Sequence, residues 1–184
     1  MTKPKANESL VIEKLKEAIG DIPSSWKMHI VGVRGYYTHS MGDPTKNDRN
    51  IYDDAAFVFG PSGFKSFNFN TDPSAYRQGI ASLVPNFVYW FRKGMHGITK
   101  GNPYPAFRPA SIGEKSKVTR DKTNNPWDGT AINIHRGSRK TTSSLGCQTV
   151  PPDQWDEFYA YVTKEMKLSG VDKFPYTIIE GPIN

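Results

Sequence analysis

The chain reads as a mainly β domain with a few covering helices, of the α+β class. Sixteen glycines, fourteen prolines and 12% aromatic residues in 184 favour short strands joined by turns over a helical bundle. Alternating apolar stretches recur along the chain, whereas helical periodicity is confined to two segments. The length suits one compact domain over residues 1–184, and no internal repeat or low-complexity tract divides it.

Val11, Leu15, Ala18 and Ile19 fall at helical spacing after a cap at Asn7 or Ser9, and Gly20 stands where a left-handed terminator belongs. Pro23-Ser24-Ser25 breaks that helix, and Met28 to Val33 then predicts a buried strand. His39 to Asn50 is too polar and turn-rich for a regular element and is expected as a surface loop. Ala55 to Phe59 and Phe64 to Phe69 flank Gly60-Pro61-Ser62-Gly63, which predicts a hairpin with a four-residue turn and places Phe67 and Phe69 on one face. Phe87 to Phe91 is expected as a strand buried on both sides. From Gly97 to Trp127 the glycines, prolines and the polar run Asp121 to Pro126 imply loops around a short strand near Val118. Ala131 to His135 alternates, so Ile132 and Ile134 face one way, Asn133 and His135 the other. Trp155, Phe158, Tyr159, Val162 and Met166 define a second helix behind Pro151-Pro152-Asp153, and Tyr176 to Ile179 supplies a last strand.

A net charge of +6 suits an anionic partner. The basic residues are scattered, grouping only at Arg136, Arg139 and Lys140, and no recognition-helix or zinc-finger pattern appears, which argues against nucleic acid. No stretch approaches the ~20 apolar residues that span a bilayer. Met1 to Glu8 lacks the apolar core of a secretory signal, so the chain is expected to be made in the cytoplasm. The oligomeric state is left open.

Cys147 is the sole cysteine, so no internal disulfide forms and the thiol is either an inert core group or chemically used. Its polar flanks, Ser143-Ser144 and Gln148-Thr149, are a poor setting for an inert one. His135 precedes it by twelve positions, and the intervening Gly, Ser and Thr-rich loop has the composition to fold back and bring thiol and imidazole together. An imidazole in contact can take the thiol proton and make a nucleophile. Gly146 clears the attack side, and the N–H groups of Leu145, Gly146 and Cys147 are candidate oxyanion donors.

Ile132 to Gly137 followed by Ser144-Leu145-Gly146-Cys147 resembles the signature of the YkuD-like L,D-transpeptidase family, in which a His-x-Gly segment precedes Ser/Thr-His-Gly-Cys. The resemblance covers about Thr130 to Val150. More faintly, Leu83 through Gly94-Met95-His96-Gly97 to Phe107-Arg108-Pro109 is similar to that family's preceding strand pair, while residues 1–50 match nothing in it and form a divergent N-terminal part. The resemblance implies a β-sandwich or barrel catalytic fold acting on peptidoglycan stem peptides through a Cys147 thioester, with no cofactor and no metal. It makes Cys147 the nucleophile and His135 the base, puts Ser144 and Gly146 in the thiol-presenting loop, and assigns the third role to the backbone carbonyl of Arg136 or Gly137. Leu145 replaces the usual histidine and Thr149 the usual Arg or Asn, departures that favour hydrolysis over transfer to a second stem peptide. Arg136, Leu145 and His96 are the candidate substrate contacts. Arg108 is a second guanidinium suited to a substrate carboxylate. The missing leader and the positive charge suit an endolysin, phage-encoded and released to the cell wall at lysis.

Rival readings are a cross-linking L,D-transpeptidase, a zinc peptidase and a carboxylate-pair muramidase. The zinc reading draws on His29, His39, His96 and His135 with Asp43 or Asp53, but no His-Glu-x-x-His is present. The muramidase reading needs Glu114, Asp53 or Asp54 as an acid/base pair. A papain-like arrangement is disfavoured because no histidine follows Cys147. The non-enzyme alternative is a wall-binding or virion domain with Tyr36, Tyr37, Tyr104 and Trp127 lining a groove.

Overall fold

The computed structural model describes residues 1–123 and 128–183. Helix α1 spans Glu8–Ile19. The Asn7 side chain accepts the Ser9 N–H at 2.8 Å and so caps it, while Gly20, at φ 79°, returns its own N–H to the Lys16 carbonyl. Twelve strands follow: β1 (His29–Arg34), β2 (Asp54–Gly60), β3 (Gly63–Phe69), β4 (Ala81–Leu83), β5 (Val88–His96), β6 (Tyr104–Pro109), β7 (Lys115–Ser116), β8 (Val118–Arg120), β9 (Gly129–Thr130), β10 (Ile134–Arg136), β11 (Gln148–Val150) and, after helix α2 (Pro152–Ser169), β12 (Lys173–Glu180). Trp127, with Asn124 to Pro126, lies outside the described residues.

Eight strands make one mixed sheet in the order β11-β10-β6-β5-β12-β1-β2-β3. The pairs β1–β12 and β10–β11 are parallel and the others antiparallel. Two ribbons, β4–β8 and β7–β9, lie outside it. Alternation along each strand sorts the core into two clusters. Val31, Val33, Ala55, Phe57 and Ile179 pack with Val11 and Leu15 of α1. Ile30, Phe67, Phe69, Phe91, Phe107, Ile134 and Tyr176 face the other way and pack with Trp155, Phe158, Val162 and Met166 of α2. Pro152 opens α2 at a position where its missing N–H costs nothing, and Gly170 closes it in the left-handed conformation.

The mainly β, two-helix architecture stands, and the barrel expectation is corrected. The edge strands β3 and β11 approach each other at a single bridge, Asn70 to Thr149, with N–H···O bonds of 2.8 and 2.9 Å, so the sheet curls without closing. The hairpin turn is tighter than expected, because Gly60 and Gly63 still pair and only Pro61-Ser62 connect them. The aromatic strand is buried on one face: Tyr89 and Phe91 are covered, Val88 and Trp90 half-covered, and Phe87 lies exposed before the strand begins. Strand β6 sits inside the stretch read from spacing as mostly loop, since its prolines mask a strand whose partners are β5 and β10. Residues 1–50 supply α1 and β1, so the divergent part is built into the middle of the sheet.

A buried acidic cluster joins the loop after β1 to the segment after β3. Asp54 accepts the N–H groups of Gly35 and Thr71, both at 2.6 Å, Asp53 accepts that of Asp48 at 3.0 Å, and Asp72 pairs with Arg34 at 3.4 Å. Burial pushes the Asp53 carboxyl up to about 7, with the Asp72 and Asp48 charges adding to it. The folded chain then holds a proton between pH ~4 and 7 that the unfolded chain has released, so stability falls as pH rises through that window. Asp53→Asn keeps the acceptor and removes the titration. Its melting temperature relative to wild type is expected to be higher at pH 8 than at pH 5; an identical offset at both values would show that Asp53 does not titrate there.

Candidate active site

His135 lies in β10 and Cys147 directly precedes β11, and the parallel register sets Ile134 opposite Gln148 and His135 opposite Thr149. The eleven residues between the strands form a crossover loop moored at several points. Tyr52 donates to the Ser138 carbonyl at 2.9 Å, Asn50 accepts the Thr142 N–H at 3.1 Å, and Ser74 accepts the Ser144 N–H at 2.8 Å while donating its own N–H to the Ser144 carbonyl at 2.9 Å.

Ser144 itself is buried and closes the turn that carries the thiol. Its hydroxyl donates to the Cys147 carbonyl at 2.7 Å and accepts the Gly146 N–H at 3.0 Å. Gly146, at φ 125°, presses against the Ala81 carbonyl of β4, where a Cβ would sit 2.6 Å from that oxygen. Its lack of a side chain therefore serves this close approach. The Gly146 amide is consumed by Ser144, while the N–H groups of Leu145 and Cys147 are unbonded among the described residues.

The thiol, part-exposed at the floor of a cleft of about 440 Å³, receives the Asn133 N–H at 3.4 Å. The donor atoms of Cys147, His135 and His96 all lie within 4.8 Å of one another. His135 places Nδ1 2.7 Å from the Arg136 carbonyl and 3.0 Å from the Tyr104 hydroxyl, so Nδ1–H is donated and Nε2 is left as the acceptor. The carbonyl beside the imidazole is thus Arg136's. Gly137 instead leaves room for the Tyr52 hydroxyl, which a Cβ there would approach to 2.0 Å. The His96 ring stacks on His135 with centroids 4.0 Å apart and planes 20° apart, and its Nδ1 is 3.0 Å from the Asn133 amide nitrogen.

Electrostatically the pair is neutral at rest. Burial pushes the Cys147 thiol up to about 11, opposed by the Asn133 N–H and by the charges of Arg108 and Lys100. Burial drives His135 down to about 4, and neighbouring His96 and Lys100 push the same way against the Arg136 carbonyl. His96 is lowered too, by burial and then by Lys100 and Arg108. A thiol and imidazole kept neutral in this way hold no standing ion pair, so any proton transfer between them has to accompany bond formation at sulfur.

Of the sequence candidates, Cys147, His135, Ser144, Gly146, His96 and Leu145 meet here. Leu145, 67% exposed, separates this cleft from a neighbouring one lined by Arg77 and Arg120. The Arg136 side chain turns away over the Tyr104 ring, 5.1 Å from its centroid, and Arg108 with Lys100 lines the cleft in its place. Arg108 is held by Glu114 and by the Met95 carbonyl at 2.9 Å. Asn133 joins the site without being among the sequence candidates, although the alternation that puts it on one face with His135 is the signal that points to it. His29 is buried against Thr177, His39 is exposed and Asp43 half-buried, and all three lie outside the cleft, so the full ligand set of the rival zinc reading does not assemble. Nor do Glu114, Asp53 and Asp54 face one another across it. Tyr36 and Tyr37 bond to the N-terminal segment instead of lining a groove. Comparison with protein-family models, with curated proteins and with solved structures found no match for this chain.

Two outcomes test this geometry. Gly146→Ala should cost about 2 kcal/mol or more in denaturant unfolding, because the strained φ adds to a backbone clash; a loss within experimental error would discard the Ala81 contact. Alkylation of Cys147 by iodoacetamide in a chelating buffer should climb with pH towards about 11. A rate already level above pH 6 would mean a standing thiolate.

Proposed function

We propose that this protein is a cysteine-dependent enzyme attacking the amide bonds of peptidoglycan stem peptides, a hydrolase of endolysin type in preference to a cross-linking transpeptidase. The observation that carries the reading is the Cys147 thiol beside an imidazole whose Nδ1–H is fixed on the Arg136 carbonyl. Support for the substrate class comes from the resemblance at Ser144 to Cys147 and from a cleft with Lys100 on its wall and no acidic residue among those lining it, Arg108 beside it being already paired with Glu114. A cation so placed suits a free carboxylate of a stem peptide.

In the proposed reaction Cys147 adds to the amide carbonyl while its proton passes to His135 Nε2. The Leu145 and Cys147 N–H groups receive the oxyanion, a contribution worth a few kcal/mol. Collapse of the tetrahedral adduct returns the proton from His135 to the departing amine and leaves a thioester. Water, deprotonated by the same imidazole, then releases the acid. Leu145 stands where a polar group would steer an amine acceptor, and this apolar, exposed residue is the reason to favour water over a second stem peptide.

Mass spectrometry of muropeptides after incubation of purified sacculi tests the reading. Shortened monomers are expected with the native protein, and a loss of roughly 10⁴-fold or more with Cys147→Ala. New cross-linked dimers would assign transfer instead of hydrolysis. Undiminished products from Cys147→Ala, or none from the native protein, would overturn the proposal and favour the wall-binding alternative.

A further inference from the structure

The same three side chains have a second chemistry, independent of acyl transfer. We propose that His96, His135 and Cys147 form a binding site for a divalent cation of the zinc class, and that occupancy blocks the thiol. One sulfur and two imidazoles are the donor set that borderline-soft cations select over magnesium or calcium. The donor atoms lie within 4.8 Å of one another. Bonds of about 2.0–2.1 Å to nitrogen and about 2.3 Å to sulfur set tetrahedral edges of roughly 3.3–3.6 Å, so the donors must close by about 1.5 Å at most. Side-chain rotation covers that distance without moving the strands.

The surroundings favour coordination beyond this spacing. A metal-bound histidine ordinarily donates its other ring N–H to a carbonyl or similar acceptor, which fixes the ring. His135 does so already, with Nδ1 2.7 Å from the Arg136 carbonyl. His96 Nδ1 lies 3.0 Å from the amide of Asn133, a residue only 3% exposed, and the Oδ1 of that side chain has no hydrogen-bond partner among the described residues. Turning the Asn133 amide over places Oδ1 on His96 Nδ1–H, satisfies the orphaned oxygen and leaves Nε2 of His96 free for the metal. The two rings stack at 4.0 Å, and with both Nδ1 atoms engaged each keeps its Nε2 available to the metal. The fourth position opens on the cleft and takes water. On binding, the S–H bond of Cys147 is exchanged for a sulfur–metal bond and the proton is released to solvent, so no oxidant or reductant is involved.

The test starts from protein stripped with a chelator and titrated with Co²⁺ and with Zn²⁺. One equivalent of Co²⁺ should give a thiolate-to-cobalt charge-transfer band, displaced by Zn²⁺. Zn²⁺ should slow iodoacetamide alkylation of the wild-type thiol at least tenfold, with the rate restored by chelator. Cys147→Ser should abolish the band, and His96→Gln should weaken Zn²⁺ binding by about a hundredfold. Absence of the band in wild type, or an undiminished band and affinity in His96→Gln, would overturn the site; the alkylation assay on the unmodified chain keeps the result independent of how well the variants fold. Activity separates this site from the reaction proposed above. A stripped enzyme that is active and inhibited by Zn²⁺ supports both, whereas one that is inactive until Zn²⁺ is restored keeps the site and removes the thiol as nucleophile.

Discussion

Parallel pairing of β10 with β11 is the constraint on which the site depends. A parallel connection must carry the chain back along the strand just left, and it ordinarily takes a dozen or more residues and a helix to do so. Here eleven residues, 137–147, suffice without one. A loop that short has no core of its own, so its backbone groups find partners on other segments: Tyr52, Asn50, Ser74 and the pressed contact of Gly146 with Ala81. That need accounts for its Gly, Ser and Thr content. Small polar residues let a backbone lie close against its supports, and each anchor fixes the height at which Cys147 emerges beside His135.

The environment that holds the pair together also keeps it uncharged. Burial penalises thiolate and imidazolium alike; one backbone N–H with two nearby cations partly offsets this for the thiolate, and the Arg136 carbonyl partly offsets it for the imidazolium. Such a site is quiet until something enters that stabilises negative charge on sulfur or on an oxygen beside it. An acyl carbonyl does so by taking the charge onto an oxyanion; a soft cation does so by bonding the thiolate directly. The two proposed ligands would exploit the same latent ionisation and would exclude each other because there is one sulfur. His96 would contribute to each case differently, as an imidazole whose positive charge, when protonated, depresses the basicity of His135, and as a third donor.

What the sequence made legible follows from where periodic signals are strong. Both helices, the Asn7 cap as one of two candidates with Ser9, the stop at Gly20, the proline start of α2 and the one-sided placement of Ile132 and Ile134 were readable, because apolar spacing and terminal chemistry are local properties. The Cys147–His135 pair was readable because a lone cysteine between polar residues is poorly placed to be an inert core group. Hidden were the features decided by distant chain segments. Strand β6 is disguised by Pro105 and Pro109, which lie towards its ends where only β5 pairs with it, and the incomplete closure of the sheet rests on one bridge that no local pattern announces. Arg136 and Arg108 look alike as sequence, and only Glu114 and the Met95 carbonyl decide that Arg108 faces the cleft. The Gly146 amide looked free until Ser144 claimed it.

Residues 1–50, which match nothing in the family that the Cys147 segment resembles, and the stretch that follows them as far as Ser74 are mechanically part of the candidate site. Asn70 pairs with Thr149 two residues past the thiol, and the anchors Asn50, Tyr52 and Ser74 all belong to segments organised by the buried carboxylates of Asp53, Asp54 and Asp72 with Arg34. Those carboxylates accept backbone N–H groups at Gly35, Asp48 and Thr71, which sets where both segments run. A buried carboxylate bonded in this way is costly to disturb, because loss of any partner leaves a polar group dry and unpaired. The position of the sulfur is therefore stabilised by a polar network on the far side of its loop, and substitutions there act on thiol placement without touching the cleft. The thiol–imidazole pair on β10 and β11 is in this sense built on β1 to β3, and that segment transplanted without them would lack the supports that hold its crossover in place.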